Sequence, residues 1–244
     1  YAVSCEYYVN DAGRQMDILA ASVWLRYLEL NGEKIYFPSN AYQGEYIRNM
    51  AEAIYKKHKN YYVRKYHMPT PNISTKTNEE ENSSEILLDQ LISEAKNSLG
   101  EDYIYIHNFA LTEQLADCRN DLMEFGVVFD TWFSEQSLHK NGEIAQAINL
   151  LRKKNLLYLK DGATWFRSTN FGDEKDRVVE RENGQFTYFA SDIAYHINKF
   201  KRGFERIINV WGADHHGYIP RVKGAIRALK LNPEKLEIAL VQFA

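Results

Sequence analysis

The spacing of apolar positions changes several times along the chain, and the changes divide it. Residues 1–9, Tyr-Ala-Val-Ser-Cys-Glu-Tyr-Tyr-Val, are rich in aromatic and β-branched side chains. They close at Asn10-Asp11-Ala12-Gly13, which predicts a strand and a turn. From Asp11 the series Met16, Leu19, Ala20, Val23, Trp24 and Tyr27 keeps the spacing of one helix face until Asn31-Gly32 stops it. A second strand-turn-helix unit lies near the other end: an apolar run from Arg206 to Trp211, a polar turn from Gly212 to His216, and helical spacing from Gly217 to Leu229. Another strand is expected over 236–243. Strands alternating with helices at these lengths argue for parallel βαβ connections, so the expected fold class is α/β with a Rossmann-like parallel sheet.

The middle section breaks this rhythm. Helices are expected over 39–59, 84–98 and 104–125 and near 143–154, and strands over 127–133, 157–168 and 177–182. Residues 69–85 are polar and without period, which predicts a mobile loop. The expected division is a first part of the core at 1–35, an α+β insertion at 36–184 and a second part of the core at 185–244.

Composition narrows the class without naming a function. At 244 residues, 45% hydrophobic and 26% charged, with a mean hydropathy of -0.50, the chain has the make-up of a soluble globular protein. No run approaches the roughly 20 apolar residues of a membrane span, and no secretory signal pattern opens the chain, so a cytoplasmic location is expected. Cys5 and Cys118 are far apart with no CxxC pair, which argues against a disulfide framework or a thiolate zinc site. The net charge of -3 leaves any nucleic-acid contact to local patches. The chain starts Tyr1-Ala2-Val3 without Met and ends inside an apolar run, and so reads as an excerpt of something longer.

In an open α/β sheet, ligands bind beyond the carboxyl ends of the strands, which singles out the turns at 10–13 and 212–218. Gly212 would admit a ligand close to the backbone, Asp214 suits the paired hydroxyls of a ribose, and a helix starting near Gly217 would turn free N–H groups toward phosphate. Asp214 as a simple helix cap is the plainer alternative. Adjacent His215 and His216 are an unusual way to build a cap, yet neighbouring residues seldom face one ion, so zinc is disfavoured.

Tyr188 and Asp192, at i and i+4 of an expected helix, can share a face and hold a planar cation, with the carboxylate accepting two bonds from a guanidinium. Here the alternative is a cap at Ser191 or Asp192 with Tyr188 in the core. In the first turn, Asn10 or Asp11 could cap the following helix, or Asn10 and Gln15 could bind a small polar ligand. The stretch Phe171-Gly172-Asp173-Glu174-Lys175-Asp176-Arg177 is most simply a solvated turn, and Trp132, Trp165 and Phe166 are expected in the core of the inserted sheet.

Taken together, Glu6–Gln15, Tyr42-Gln43-Gly44-Glu45-Tyr46-Ile47, Asp161-Gly162-Ala163-Thr164-Trp165, Phe171–Arg177, Tyr188–His196 and Trp211-Gly212-Ala213-Asp214-His215-His216-Gly217-Tyr218 resemble, in order, the bacterial-type arginyl-tRNA synthetases, which are class I enzymes. The resemblance implies a class I Rossmann-like core split by insertions, with arginine activated by ATP to the adenylate and passed to tRNA(Arg). ATP with Mg²⁺ would be substrate, no tightly bound cofactor or protein-held metal is implied, and the full-length form would be a monomer. Residue by residue it implies arginine contacts from Tyr188, Asp192 and His215, the last standing where other branches carry a glutamine. It implies ATP contacts from Gly212 and Asp214. The first-turn arginine contact falls on Glu6, Tyr7 or Asn10, of which Asn10 is the candidate. The family's HxGH and KMSKS-type loops do not occur among these residues, so the chain alone is expected to be inactive and no catalytic residue is assigned. A non-catalytic synthetase-like nucleotide-binding module is one alternative, and a metal-dependent phosphoesterase using Asp214, His215 and His216 is another. A different class I synthetase fits poorly, because Asp192 would be left unpaired by a neutral amino acid.

Overall fold

The computed structural model describes residues 2–65 and 77–242, the side chains of 77–83 excepted, and divides into two compact units, 1–132 and 133–244. In the first unit the strand β1 (Glu6–Val9) leads into the helix α1 (Arg14–Leu30). Every residue of α1 from Ile18 to Leu28 is buried, a helix shielded all round by its neighbours α2 (Glu45–His58), α3 (Thr77–Leu99) and α4 (Asp102–Glu124). Trp24, Tyr27 and Leu28 meet Ile47, Ile54, Leu88, Leu91 and Ile106 in one cluster.

Two of its buried polar groups are paired: the Trp24 Nε1–H donates to the Tyr62 carbonyl at 3.1 Å, and the Ser22 hydroxyl donates to the Ile18 carbonyl at 2.7 Å while accepting from the Tyr42 N–H at 3.1 Å. The expected loop at 69–85 lies outside the described residues as far as 76. From Thr77 the chain is helical, because the apolar positions Leu87, Leu88, Leu91, Ile92 and Ala95 anchor a helix that extends upstream into polar sequence.

The boundary between the units falls in β2 (Thr131–Ser134), which is followed by the short helix α5 (Glu135–Lys140) and by α6 (Glu143–Lys153). The single strand expected over 157–168 is instead a hairpin of β3 (Leu157–Lys160) and β4 (Ala163–Phe166). Asp161 and Gly162 take positive φ angles of 51° and 73°, the two-residue turn an Asp-Gly pair favours between antiparallel strands. The antiparallel β5 (Arg177–Glu180) completes this sheet.

Helix α7 (Tyr188–Lys201) then leads to β6 (Ile207–Gly212), a 3-10 segment (Ala213–Tyr218), α8 (Ile219–Ala228) and β7 (Leu236–Val241). Strands β6 and β7 run parallel, in register from Ile207↔Leu236 to Gly212↔Val241, the βαβ unit that the spacing predicts. Among the described residues no helix is long and apolar enough to cross a membrane.

The segment expected as a solvated turn, Phe171–Arg177, is not one. The Asp173 side chain is 1% exposed and accepts two bonds from Arg177, at 2.8 and 2.7 Å. Burial works to raise its pKa, but Arg177, the Glu174 N–H and the Ser168 hydroxyl together hold it below the ordinary carboxylate value. The turn docks on α8, where Gly224 passes so near that a Cβ would lie 3.3 Å from the Phe171 carbonyl oxygen, and Arg227 donates to that same oxygen at 3.0 Å.

Asp173→Asn leaves a largely buried guanidinium without its counter-charge and is expected to cost about 3 kcal/mol. Urea unfolding followed by circular dichroism checks this. The pair's contribution is present above the usual carboxylate range and lost as pH falls through the lowered folded value, so the variant's deficit should shrink in acid.

Candidate functional site

In the second unit α7 is joined to the segment after β6 at one of the polar groups marked by sequence, Asp192. Thr187 caps the approach to α7 by tying it to β5: its N–H bonds the Val179 carbonyl at 3.0 Å and its hydroxyl the Val178 carbonyl at 2.9 Å. The helix therefore begins at Tyr188, as the i, i+4 reading requires, with Tyr188 exposed and Asp192 half-buried one turn on. Phe189, Ala190, Ile193, Ala194 and Ile197 are buried, so helix periodicity decides which residues of the turn remain available.

Asp192 does not stand alone. The Tyr218 hydroxyl donates to its Oδ2 at 2.6 Å. The Tyr218 ring is held among Phe189 at 6.3 Å, Trp211 at 6.2 Å and the Arg221 guanidinium at 4.3 Å. Burial pushes the Asp192 carboxyl up to about 6; the Tyr218 bond opposes this, Glu135 adds to it, and Lys199 and Arg221 oppose it. Burial and the neighbouring carboxylate likewise raise the Tyr218 phenol far above its ordinary value, so it remains a donor at any working pH. Between α7 and α8 lies a small cavity lined by Phe189, Asp192, Ile193, His196, Val222 and Ile226.

Tyr218 links this carboxylate to the strand-end turn. Gly212 has an ordinary extended backbone (φ -63°), and what its missing side chain provides is room for the neighbouring carboxylate: a Cβ there would lie 2.4 Å from the Asp214 Oδ1 and would turn that exposed side chain aside. Asp214 and His215 present side chains 81% and 58% exposed, with His215 Nε2 3.4 Å from Asp214 Oδ2. The α-helix expected to start near Gly217 starts at Ile219, because a 3-10 segment occupies Ala213–Tyr218 and Pro220 marks the first α-turn. Among the described residues, no group of three or more His, Cys, Asp or Glu is placed to hold a metal ion, and Asp214, His215 and His216 form none.

Asn10 belongs to the first unit and is exposed. Neither it nor Asp11 caps α1: the N-cap is Gly13, whose missing side chain leaves room for the Asn10 Oδ1, 3.1 Å from where a Cβ would stand. Gln15 accepts from the Tyr42 hydroxyl at 2.8 Å.

Sequence reasoning missed two features. Tyr218 was visible only as the end of a motif, with nothing in its spacing to pair it with Asp192. The second is a buried polar chain behind Asp192, formed by His196, Asn209 and Lys199. Its signal is present: His196 and Lys199 follow Asp192 at i+4 and i+7, and Asn209 interrupts the apolar run Ile207-Ile208-Asn209-Val210-Trp211.

A family model described as tRNA synthetases class I (R), catalytic domain, matches residues 1–244. Arginine–tRNA ligases of Nitrosospira multiformis and Nitrosomonas eutropha are 66% and 62% identical to the chain, which they match over its whole length. The chain spans 41% and 42% of the length of those relatives. Among solved structures, a putative arginyl-tRNA synthetase from Campylobacter jejuni superposes with a TM-score of 0.71 at 30% identity, over 100% of this chain and 46% of the other. The arginyl-tRNA synthetase of Thermus thermophilus superposes with a TM-score of 0.57 at 19% identity, over 99% of this chain and 42% of the other, a likeness of fold alone. The architecture is the α/β fold of a class I synthetase catalytic domain. The chain belongs to the arginine family of the class I tRNA synthetases.

Tyr218→Phe removes the hydroxyl that favours the ionised form of Asp192, so the Asp192 pKa is expected to rise further above about 6. Carbon-13 NMR titration of the Asp192 carboxyl reads the change directly.

Proposed function

We propose that the protein carrying this chain is an arginine–tRNA ligase, which activates L-arginine with ATP and passes the arginyl group to tRNA(Arg), and that Asp192 is its guanidinium anchor. The observation that carries this is a half-buried carboxylate with one hydroxyl partner, one helical turn from an exposed tyrosine, in a chain of this family. A guanidinium offers the forked donors that such a carboxylate can accept, and Tyr188 adds a phenol beside them. His215 and Asn10 are proposed as further arginine contacts, with Gly212 and Asp214 at the ATP ribose.

In activation, an oxygen of the arginine carboxylate forms a bond to the α-phosphorus and the bond to pyrophosphate breaks. The residues of this chain hold and orient the two reactants; they supply no nucleophile. Mg²⁺ would arrive with the triphosphate, and a monomer in the cytoplasm belongs to the same proposal. So does a Rossmann-like core formed by 1–35 and 185–244 around an insertion at 36–184.

Asp192→Asn is expected to weaken arginine by about 2–5 kcal/mol while leaving ATP within about twofold, measured by titration calorimetry on the full-length protein. Equal losses for both ligands would contradict the assignment. Because a guanidinium pairs with the ionised carboxyl, arginine affinity should rise with pH through about 6 and then level off, and Asp192→Asn should flatten that profile. At the strand end, Gly212→Ala displaces the Asp214 carboxylate and should raise the KM for ATP about tenfold with a smaller effect on arginine. Pyrophosphate exchange at varied ATP and arginine checks the difference.

A further inference from the structure

Behind Asp192 runs a chain of buried polar groups to which no role has yet been given. The Lys199 ammonium donates to the Asn209 Oδ1 at 2.6 Å, the Asn209 Nδ2 and the His196 Nε2 are 2.9 Å apart, and the His196 Nδ1 lies 2.7 Å from the Asp192 carbonyl oxygen. All three side chains belong to buried residues, 8%, 7% and 4% exposed in that order.

The proton positions follow from chemistry. An ammonium only donates, so Asn209 must turn its oxygen toward Lys199 and its amide hydrogens toward His196. The imidazole must then accept at Nε2 and carry its proton on Nδ1, aimed at Asp192. Burial and the Lys199 charge push His196 down to about 3, against the opposing bond to the Asp192 carbonyl, which keeps the ring neutral and the direction of the chain fixed. Charged and polar groups near the ring include Lys199 and Asp192 on α7, Asn209 on β6 and the Tyr195 ring, 5.9 Å away on α7. Lys199 also lies 4.2 Å from the centre of the Tyr195 ring.

Apolar side chains of similar volume would fill the α7–β6 interface without burying a charge, so packing alone does not call for this arrangement. What it adds is direction: each member admits one orientation of the next, and the last fixes the turn of α7 that bears Asp192. We propose that Asn209 is a positioning residue for the arginine pocket, holding Asp192 in place through His196. The proposal rests on the arginine-binding role of Asp192.

Asn209→Asp tests it, because the shape and the acceptor for Lys199 are kept while the donor to His196 Nε2 is lost. A carboxylate oxygen facing Nε2 draws the imidazole proton to that nitrogen, and the Nδ1–H that reached the Asp192 carbonyl is lost. In the full-length protein, the nitrogen-15 NMR signals of His196 should then show the proton on Nε2 at neutral pH, where the parent ring carries it on Nδ1. The KM for arginine in pyrophosphate exchange should rise about tenfold, roughly 1.4 kcal/mol, with the KM for ATP changed less than about twofold. A ring that keeps a proton on Nδ1, an unchanged KM for arginine, or equal rises in both KM values would each overturn the positioning role. Should Asn209→Asp not fold, His196→Gln takes its place, with the same split between the two KM values expected. Asp192→Asn run in parallel separates the two ideas. If it leaves arginine unaffected, the pocket assignment itself fails; if it weakens arginine while Asn209→Asp does not, only the positioning role falls.

Discussion

Placing a carboxylate where water reaches it poorly is the constraint from which the second unit follows. Asp192 is drawn toward its neutral form by burial, and whatever is built around it must supply donors without neutralising it permanently. The fold supplies one from the turn after β6, where the Tyr218 hydroxyl donates to a carboxylate oxygen. The His196 imidazole lies instead against the backbone carbonyl of Asp192 and holds the helix rather than the carboxylate. Each solution commits further residues: Tyr218 needs a ring pocket formed with Phe189, Trp211 and Arg221, and His196 needs Asn209.

Much of this was legible in sequence. Strand, turn and helix at both ends were readable because β-like and helical spacing change abruptly there, and the parallel pair β6–β7 followed from the length of the connection between its strands. Tyr188 and Asp192 were legible because they lie one helical turn apart, so their relation needs no tertiary information. Asp161-Gly162 carried its hairpin plainly as a dipeptide, but an apolar pattern running through it concealed the break.

What escaped depends on contacts distant in sequence. No spacing rule pairs Tyr218 with Asp192, 26 positions away. Asp173 lies in a stretch of charges that sequence can describe only by its polarity, and the bidentate bond that buries it is a matter of three-dimensional geometry. The helix boundary at Ile219 shifted for a local reason that was present in the text of the chain, since Pro220 is the second residue of a helix starting at Ile219 but would be the fourth of one starting at Gly217.

The Tyr218 hydroxyl occupies an oxygen that an incoming guanidinium would also address. A carboxylate oxygen has two lone pairs, so both donors can be present, but neither leaves the other unaffected. Tyr218 closes the segment that displays Asp214 and His215, so on the roles proposed for them the two binding places share one hydrogen bond. Thermodynamic linkage then makes the relation symmetric: by whatever factor an occupant of the carboxylate alters the affinity of the turn for its ligand, that ligand alters the carboxylate's affinity in return. On the roles proposed for Asp192 and the turn, one phenolic hydroxyl is the physical link between them.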